Sequence, residues 1–158
     1  DAGPIRGGGN VLPPLEVDLV VAAPPAHAFE LWTARTALWW PTSHTISGNP
    51  GRIVFEPTPG GRIYEQGPDG TEHPWGEIVV FDPPRRLSYW WHLFFDRAEA
   101  TLVEVTFDPV PDGTRVCLVQ SGWDALGEQG RARRDRTATA WSHITQLFHQ
   151  AAADTPPA

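Results

Sequence analysis

The chain has 158 residues, 41% of them hydrophobic and 20% charged, which suits one soluble domain with a real core and excludes a disordered or membrane-embedded class. Its 19 acidic residues against 12 basic ones give a formal charge of −7, which argues against general affinity for nucleic acid or anionic membranes. A single cysteine, Cys117, excludes an intramolecular disulfide and a multi-cysteine zinc site, and is consistent with a reducing compartment.

The Gly-rich start, residues 1–13, reads as a flexible segment or an expression remnant, and it carries no signal-peptide hydrophobic region. The expected location is therefore cytoplasmic, without membrane insertion. Residues 14–151 read as the folded domain. Within it, Leu15 to Val21 begins with apolar and polar residues alternating, which sets Val17, Leu19 and Val21 on one face of a first strand. Pro24-Pro25 ends it. Phe29 and Trp32 then follow at helical spacing, and a second short helix is expected to end near Trp39-Trp40-Pro41.

Six strands are predicted next, near 52–57, 61–66, 75–82, 86–95, 101–109 and 114–121. Turn signals such as Pro59-Gly60-Gly61, Pro68-Asp69-Gly70, Asp82-Pro83-Pro84 and Asp112-Gly113 separate them, and connections this short make an antiparallel meander. Alternation puts Val103, Val105 and Phe107 on one face, with Val116, Leu118 and Gln120 on one face of the partner strand. Residues 128–152 read as a helix with an apolar stripe of Trp141, Ile144, Leu147, Phe148 and Ala151. Residues 152–158 read as a disordered tail. A final helix can bury such a stripe only against the sheet, so the predicted fold is α+β, of the helix-grip type, with six to seven strands around the C-terminal helix.

These elements carry a family resemblance. Ala23-Pro24-Pro25 with Phe29 and Trp32, the pair Trp39-Trp40, Gly60-Gly61-Arg62, Asp69-Gly70 and Gly76-Glu77-Ile78 come in the expected order. Asp82-Pro83-Pro84-Arg85-Arg86-Leu87, Asp112-Gly113-Thr114-Arg115, Ser121-Gly122 and Ala140-Trp141 complete the series. From about Leu15 to Phe148 the chain resembles the homologues of the Hsp90 ATPase activator, within the START-like (SRPBCC) superfamily of polyketide cyclases or dehydrases and lipid transport proteins. The sequence departs from that pattern in having Phe29 where Trp is more usual, Gln120 where many members have His, and Ala140 where many have Gly. The resemblance implies a cavity between sheet and helix, and it leaves open a carrier, a cyclase or dehydratase, or a chaperone-interacting protein.

The chemistry is sparse. No GxSxG, P-loop, GxGxxG, HExxH or Cys-pair motif occurs, and the six histidines lack ligand spacing, so no catalytic residue, metal site or cofactor is assigned. Alternation puts Glu104 off the face of Val103, Val105 and Phe107 and Glu77 off the inner face shared by Ile78 and Val80, so both glutamates point outward and leave no acid and base pair. The four arginines at 131–136 read as a solvated helix start. Tyr89 and Gln120 place a phenol and an amide on the concave face, where the partner is a ligand, water or another protein group. The eight tryptophans divide between core packing and cavity lining. The candidate ligand contacts are Trp32, Trp40, His44, Tyr64, Tyr89, Trp91, Gln120 and Trp141, and the expected partner of a monomer or homodimer is a small apolar or aromatic molecule.

Overall fold

The computed structural model describes residues 12–157. Strand β1 (Leu15–Val21) leads into helix α1 (Pro25–Thr33), and two 3-10 turns follow at Thr36–Leu38 and Thr42–His44. The meander comprises β2 (Arg52–Phe55), β3 (Arg62–Gln66), β4 (Glu72–Asp82), β5 (Arg86–Trp91), β6 (Thr101–Val110) and β7 (Gly113–Ser121), and helix α2 (Gln129–Asp154) closes the chain. All seven strands lie in one antiparallel sheet in the order β1-β7-β6-β5-β4-β3-β2. This is the helix-grip α+β fold expected from the sequence.

Alternation explains the core. Val103, Val105 and Phe107 on β6 and Val116 and Leu118 on β7 are fully buried beneath the helices. Proline at the first turn of α1 costs nothing, because its missing N–H has no intrahelical partner there. The buried face of α1 drives Phe29 edge-on against Phe81 and Phe107, both at 5.2 Å between ring centroids. Along α2 the buried residues Trp141, Ile144, Thr145, Phe148, Ala151 and Ala152 recur at three- and four-residue spacing. Gly130 lets the start of this helix touch the preceding turn, where a β-carbon would collide with the Trp123 carbonyl.

Four features differ from the expectation. The second short helix is only the 3-10 turn Thr36–Leu38. Strand β5 ends at Trp91 rather than 95, because the chain turns through Phe94 at φ +71° and the Phe95 N–H donates to the His92 carbonyl at 2.7 Å. Val80 does not share the inner face with Ile78. A bulge places Val79 between them, so Ile78 pairs with Tyr89, Val80 with the outward Ser88, and Phe81 takes the inward position. Finally, α2 runs to Asp154, into the segment expected to be a disordered tail, because Ala151 and Ala152 are buried. The next residue is also engaged, since His27 Nε2 lies 2.7 Å from the Thr155 carbonyl.

Of the expected N-terminal segment, residues 1–11 lie outside the described residues. Leu12 donates its N–H to Asp124, and Arg134 donates to the carbonyls of Pro13 and Pro14.

Candidate functional site

Where α2 passes the ends of β5 and β7, the sheet and helix leave a pocket of about 250 Å³. Its floor is aromatic. Trp40 follows the first 3-10 turn, Trp91 ends β5, and Trp141 projects from α2, and their rings contact one another in pairs at 5.8, 5.9 and 6.4 Å between centroids. Leu93, Ala140 and Ile144 add aliphatic walls, and Phe94 and Phe95 stand at the mouth.

A small polar set is fixed within this apolar frame. The Trp141 indole N–H donates to Gln120 Oε1 at 2.7 Å, and Gln120 Nε2 donates to Thr101 Oγ1 at 2.8 Å. An indole nitrogen can only donate, so the amide orientation is determined by chemistry and not by a choice between two flips. Gln120 retains one N–H and one lone pair beyond these bonds, and it lines the pocket. Trp40 is held in turn by donating its indole N–H to the His44 carbonyl at 3.0 Å. His44 itself faces the pocket; burial first, and then repulsion from His143, lower its imidazole below the usual histidine range.

Five of the sequence-derived candidates therefore converge: Trp40, His44, Trp91, Gln120 and Trp141. Two others lie behind them. Trp32 stacks on Trp141 at 6.0 Å, and Tyr89 meets Trp91 edge-on at 5.4 Å, but neither lines the pocket. The Tyr89 phenol is sealed, with burial pushing its ionisation far up and a hydrogen bond to the Trp32 side chain opposing that shift. Gln120 thus bonds Trp141 and Thr101 rather than Tyr89. Tyr64 is on the wrong side of the sheet for this pocket. It pairs with Val54 on the outward face while Ile63 is turned inward, and the Arg62 guanidinium lies 4.4 Å above its ring.

Arg133 was not among the candidates, since a cluster of arginines on an acidic chain reads as a solvated helix start. In the structure it is only 5% exposed, lines the pocket, and lies 3.6 Å over the Phe95 ring. Arg136 joins it at the rim. Glu65 was likewise missed. It is a fully buried carboxylate on β3 that accepts hydrogen bonds from the loop carrying Ile46 and Ser47, and no alternation pattern distinguishes it from an outward glutamate. Glu77 and Glu104 do sit at the surface, paired with Arg97 and Arg86. Among the described residues no group of three or more His, Cys, Asp or Glu could hold a metal ion, and no helix is long and apolar enough to cross a membrane.

The Gln120 network makes a testable demand. Gln120→Leu leaves the Trp141 N–H and the Thr101 hydroxyl without partners and is expected to cost roughly 2–3 kcal/mol in urea unfolding, given about 1–3 kcal/mol per buried unpaired group. Adding Thr101→Val is expected to recover part of that loss, because one of the two orphaned groups disappears.

Comparison with known proteins places this architecture. CalC, a self-sacrificing resistance protein from Micromonospora echinospora, is 26% identical, with a TM-score of 0.71 over 90% of this chain and 95% of its own. The anthrahydroquino-gamma-pyrone synthase Txn09, solved in complex with SUM, is 33% identical over 93% of this chain and 90% of its own, with a TM-score of 0.54. Protein MLL2253 from Mesorhizobium loti, at 21% identity and a TM-score of 0.68 over 90% and 98% of the two chains, shares the fold. Among curated proteins none matches. The family model described as Activator of Hsp90 ATPase homolog 1-like protein matches residues 22–152, almost the whole of the sheet and the closing helix. The chain belongs to this Hsp90 ATPase activator homologue family, within the START-like superfamily.

Proposed function

We propose that the protein binds a small aromatic molecule in the pocket between β5, β7 and α2. The observation that carries this reading is the corner of three indoles, Trp40, Trp91 and Trp141, facing an amide already oriented by two hydrogen bonds. Flat rings gain about 0.5–1.5 kcal/mol per aromatic pair beyond their buried area, and a few fixed polar groups suffice to orient a ligand in an otherwise apolar cleft.

Titration with a panel of polycyclic aromatic compounds tests it, read by tryptophan fluorescence and by thermal unfolding. A true ligand at one hundred times its Kd is expected to stabilise the protein by about 2.7 kcal/mol, and the effect is expected to disappear in Trp141→Ala. Absence of any stabilisation across the panel, with no quenching of the indoles, would overturn the reading.

The likeness to a pyrone synthase favours one second reading, an enzyme acting on an aromatic polyketide. His44 is the residue to test, because its lowered pKa leaves a neutral imidazole at the pocket near neutral pH, able to accept a proton. Tyr89 is sealed behind Trp91 and has no such access. Turnover lost in His44→Ala with ligand affinity retained would favour catalysis over simple binding.

A further inference from the structure

The pocket rim holds a cation that no carboxylate among the described residues contacts. Arg133 is 5% exposed, yet its protein contacts are a hydrogen bond from Nη1 to the Glu99 carbonyl at 2.7 Å and the Phe95 ring beneath its guanidinium. Among the described residues no carboxylate lies within 4.0 Å of Arg133 or of Arg136; the nearby Arg134 is the one that meets Asp135. A guanidinium carries five N–H donors, and one is used here. The sole fully buried side-chain nitrogen or oxygen left without a partner among the described residues belongs to His27, so the other Arg133 donors are not sealed off, and Arg133 lines the pocket.

No acidic side chain lines this pocket, although the chain has 19 acidic and 12 basic residues. Holding a guanidinium largely out of water with no carboxylate in contact is costly, and an anion entering the same space offsets that cost. Burial lowers the Arg133 pKa and the neighbouring Arg136 adds to that pressure, while the Glu99 carboxyl opposes it. His44, with its imidazole neutral near neutral pH, supplies no competing positive charge.

We propose that the occupant is an aromatic anion, a planar ring system bearing a carboxylate, phenolate or comparable acidic oxygen, which pairs with Arg133 and Arg136 while its rings lie against Trp40, Trp91 and Trp141. This rests on the aromatic-ligand reading and adds the charge class of the ligand. The planar fork of an arginine suits a two-oxygen anion, and the Phe95 ring beneath it fixes the plane of that fork.

Two dyes of nearly the same shape separate the two claims: the anionic 8-anilinonaphthalene-1-sulfonate and its uncharged analogue N-phenyl-1-naphthylamine, each titrated by fluorescence. The anion is expected to bind about tenfold more tightly, the margin shrinking as sodium chloride is raised. Arg136→Gln and Arg133→Gln are each expected to weaken the anionic dye several-fold more than the neutral one, removing most of that margin. Equal affinity for both dyes, or a margin that both variants leave intact, overturns the anion assignment and leaves the aromatic pocket standing. Failure of both dyes to bind overturns the pocket reading itself. Arg133 also bonds the Glu99 backbone, so far-ultraviolet circular dichroism accompanies that variant; if it unfolds, the exposed Arg136→Gln decides alone.

Discussion

Trp32→Ala is expected to lower the unfolding free energy by about 3–5 kcal/mol, the range for removing a large aromatic side chain from a packed core. Trp32 is 1% exposed and is the point where three layers meet. Its ring contacts Trp39 at 5.3 Å, Phe107 of β6 at 6.3 Å, and both Trp141 and Phe148 of α2 at 6.0 and 4.9 Å. Alanine would leave a void walled by other rings, which cannot collapse without moving a helix. Urea unfolding followed by circular dichroism measures the change, with Trp90→Ala as the control. Trp90 projects from the outer face at 44% exposure, and its loss is expected to cost under about 1 kcal/mol. Similar losses in the two variants would mean that the aromatic cluster does not carry the stability assigned to it. Because Trp32 backs Trp141, its removal is also expected to weaken binding in the pocket without touching a ligand.

Period-two alternation and turn chemistry made most of the fold legible. The inward sets on β6 and β7 followed from counting residues, because no bulge interrupts their register from Leu102 opposite Ser121 to Val110 opposite Gly113. The same counting failed on β4, where one extra residue at Val79 turned Val80 outward and Phe81 inward. A second irregularity between Ile63 and Tyr64 brings Trp75 into the core, and Gly76 permits it, since a β-carbon there would strike the Trp90 carbonyl. A bulge depends on contacts between strands distant in sequence, so local spacing does not announce it.

The candidate site was legible in its aromatic part and illegible in its charged part. Trp91 shares the Tyr89 face of its strand by alternation, Trp141 opens the apolar stripe of the closing helix, and Gln120 stood out by interrupting an apolar row. Arg133 differs from Arg131, Arg134 and Arg136 in the helical phase that brings it against the Arg97–Glu99 turn and over the Phe95 ring. That environment is built by a loop some thirty residues away, whose shape depends on Phe94 adopting a left-handed backbone that a bulky residue rarely takes. Tyr64 illustrates the converse. A tyrosine in a strand has an even chance of either face until its neighbours are known, and here Ile53, Phe55 and Ile63 claim the inner one.

Glu65 supplies the second large effect, and pH reads it directly. Its carboxylate is 0% exposed and has no cationic partner among the described residues; it accepts from the Ile46 N–H, from the Trp75 indole at 2.9 Å, and from the Ser47 N–H and hydroxyl at 3.0 and 2.7 Å. Burial acts to raise its pKa, but the hydrogen bonds from Ile46, Ser47 and Trp75 outweigh it and hold the carboxyl below the usual glutamate range. A carboxyl depressed on folding stabilises the native state fully above its unfolded pKa, and that contribution is lost as pH falls through the folded value. The protein is therefore expected to lose stability below about pH 4, near the ordinary glutamate pKa, with no corresponding loss between neutral pH and that point from this group. Glu65→Ala leaves four donors stranded and is expected to cost about 3–4 kcal/mol at neutral pH. Glu65→Gln keeps the shape but turns an NH₂ toward groups that themselves donate, and about 1–3 kcal/mol is expected. Both variants are expected to flatten the acid limb of a stability-against-pH curve measured by thermal unfolding. An unchanged acid limb in Glu65→Gln would show that the group is not the one titrating. The same bonds tie the loop after His44 to β3 and to Trp75, whose ring packs on Trp40 at 5.3 Å and Trp91 at 5.6 Å. A glutamate remote from the pocket thus fixes two of its three aromatic walls, and acidification is expected to loosen the site before it unfolds the sheet.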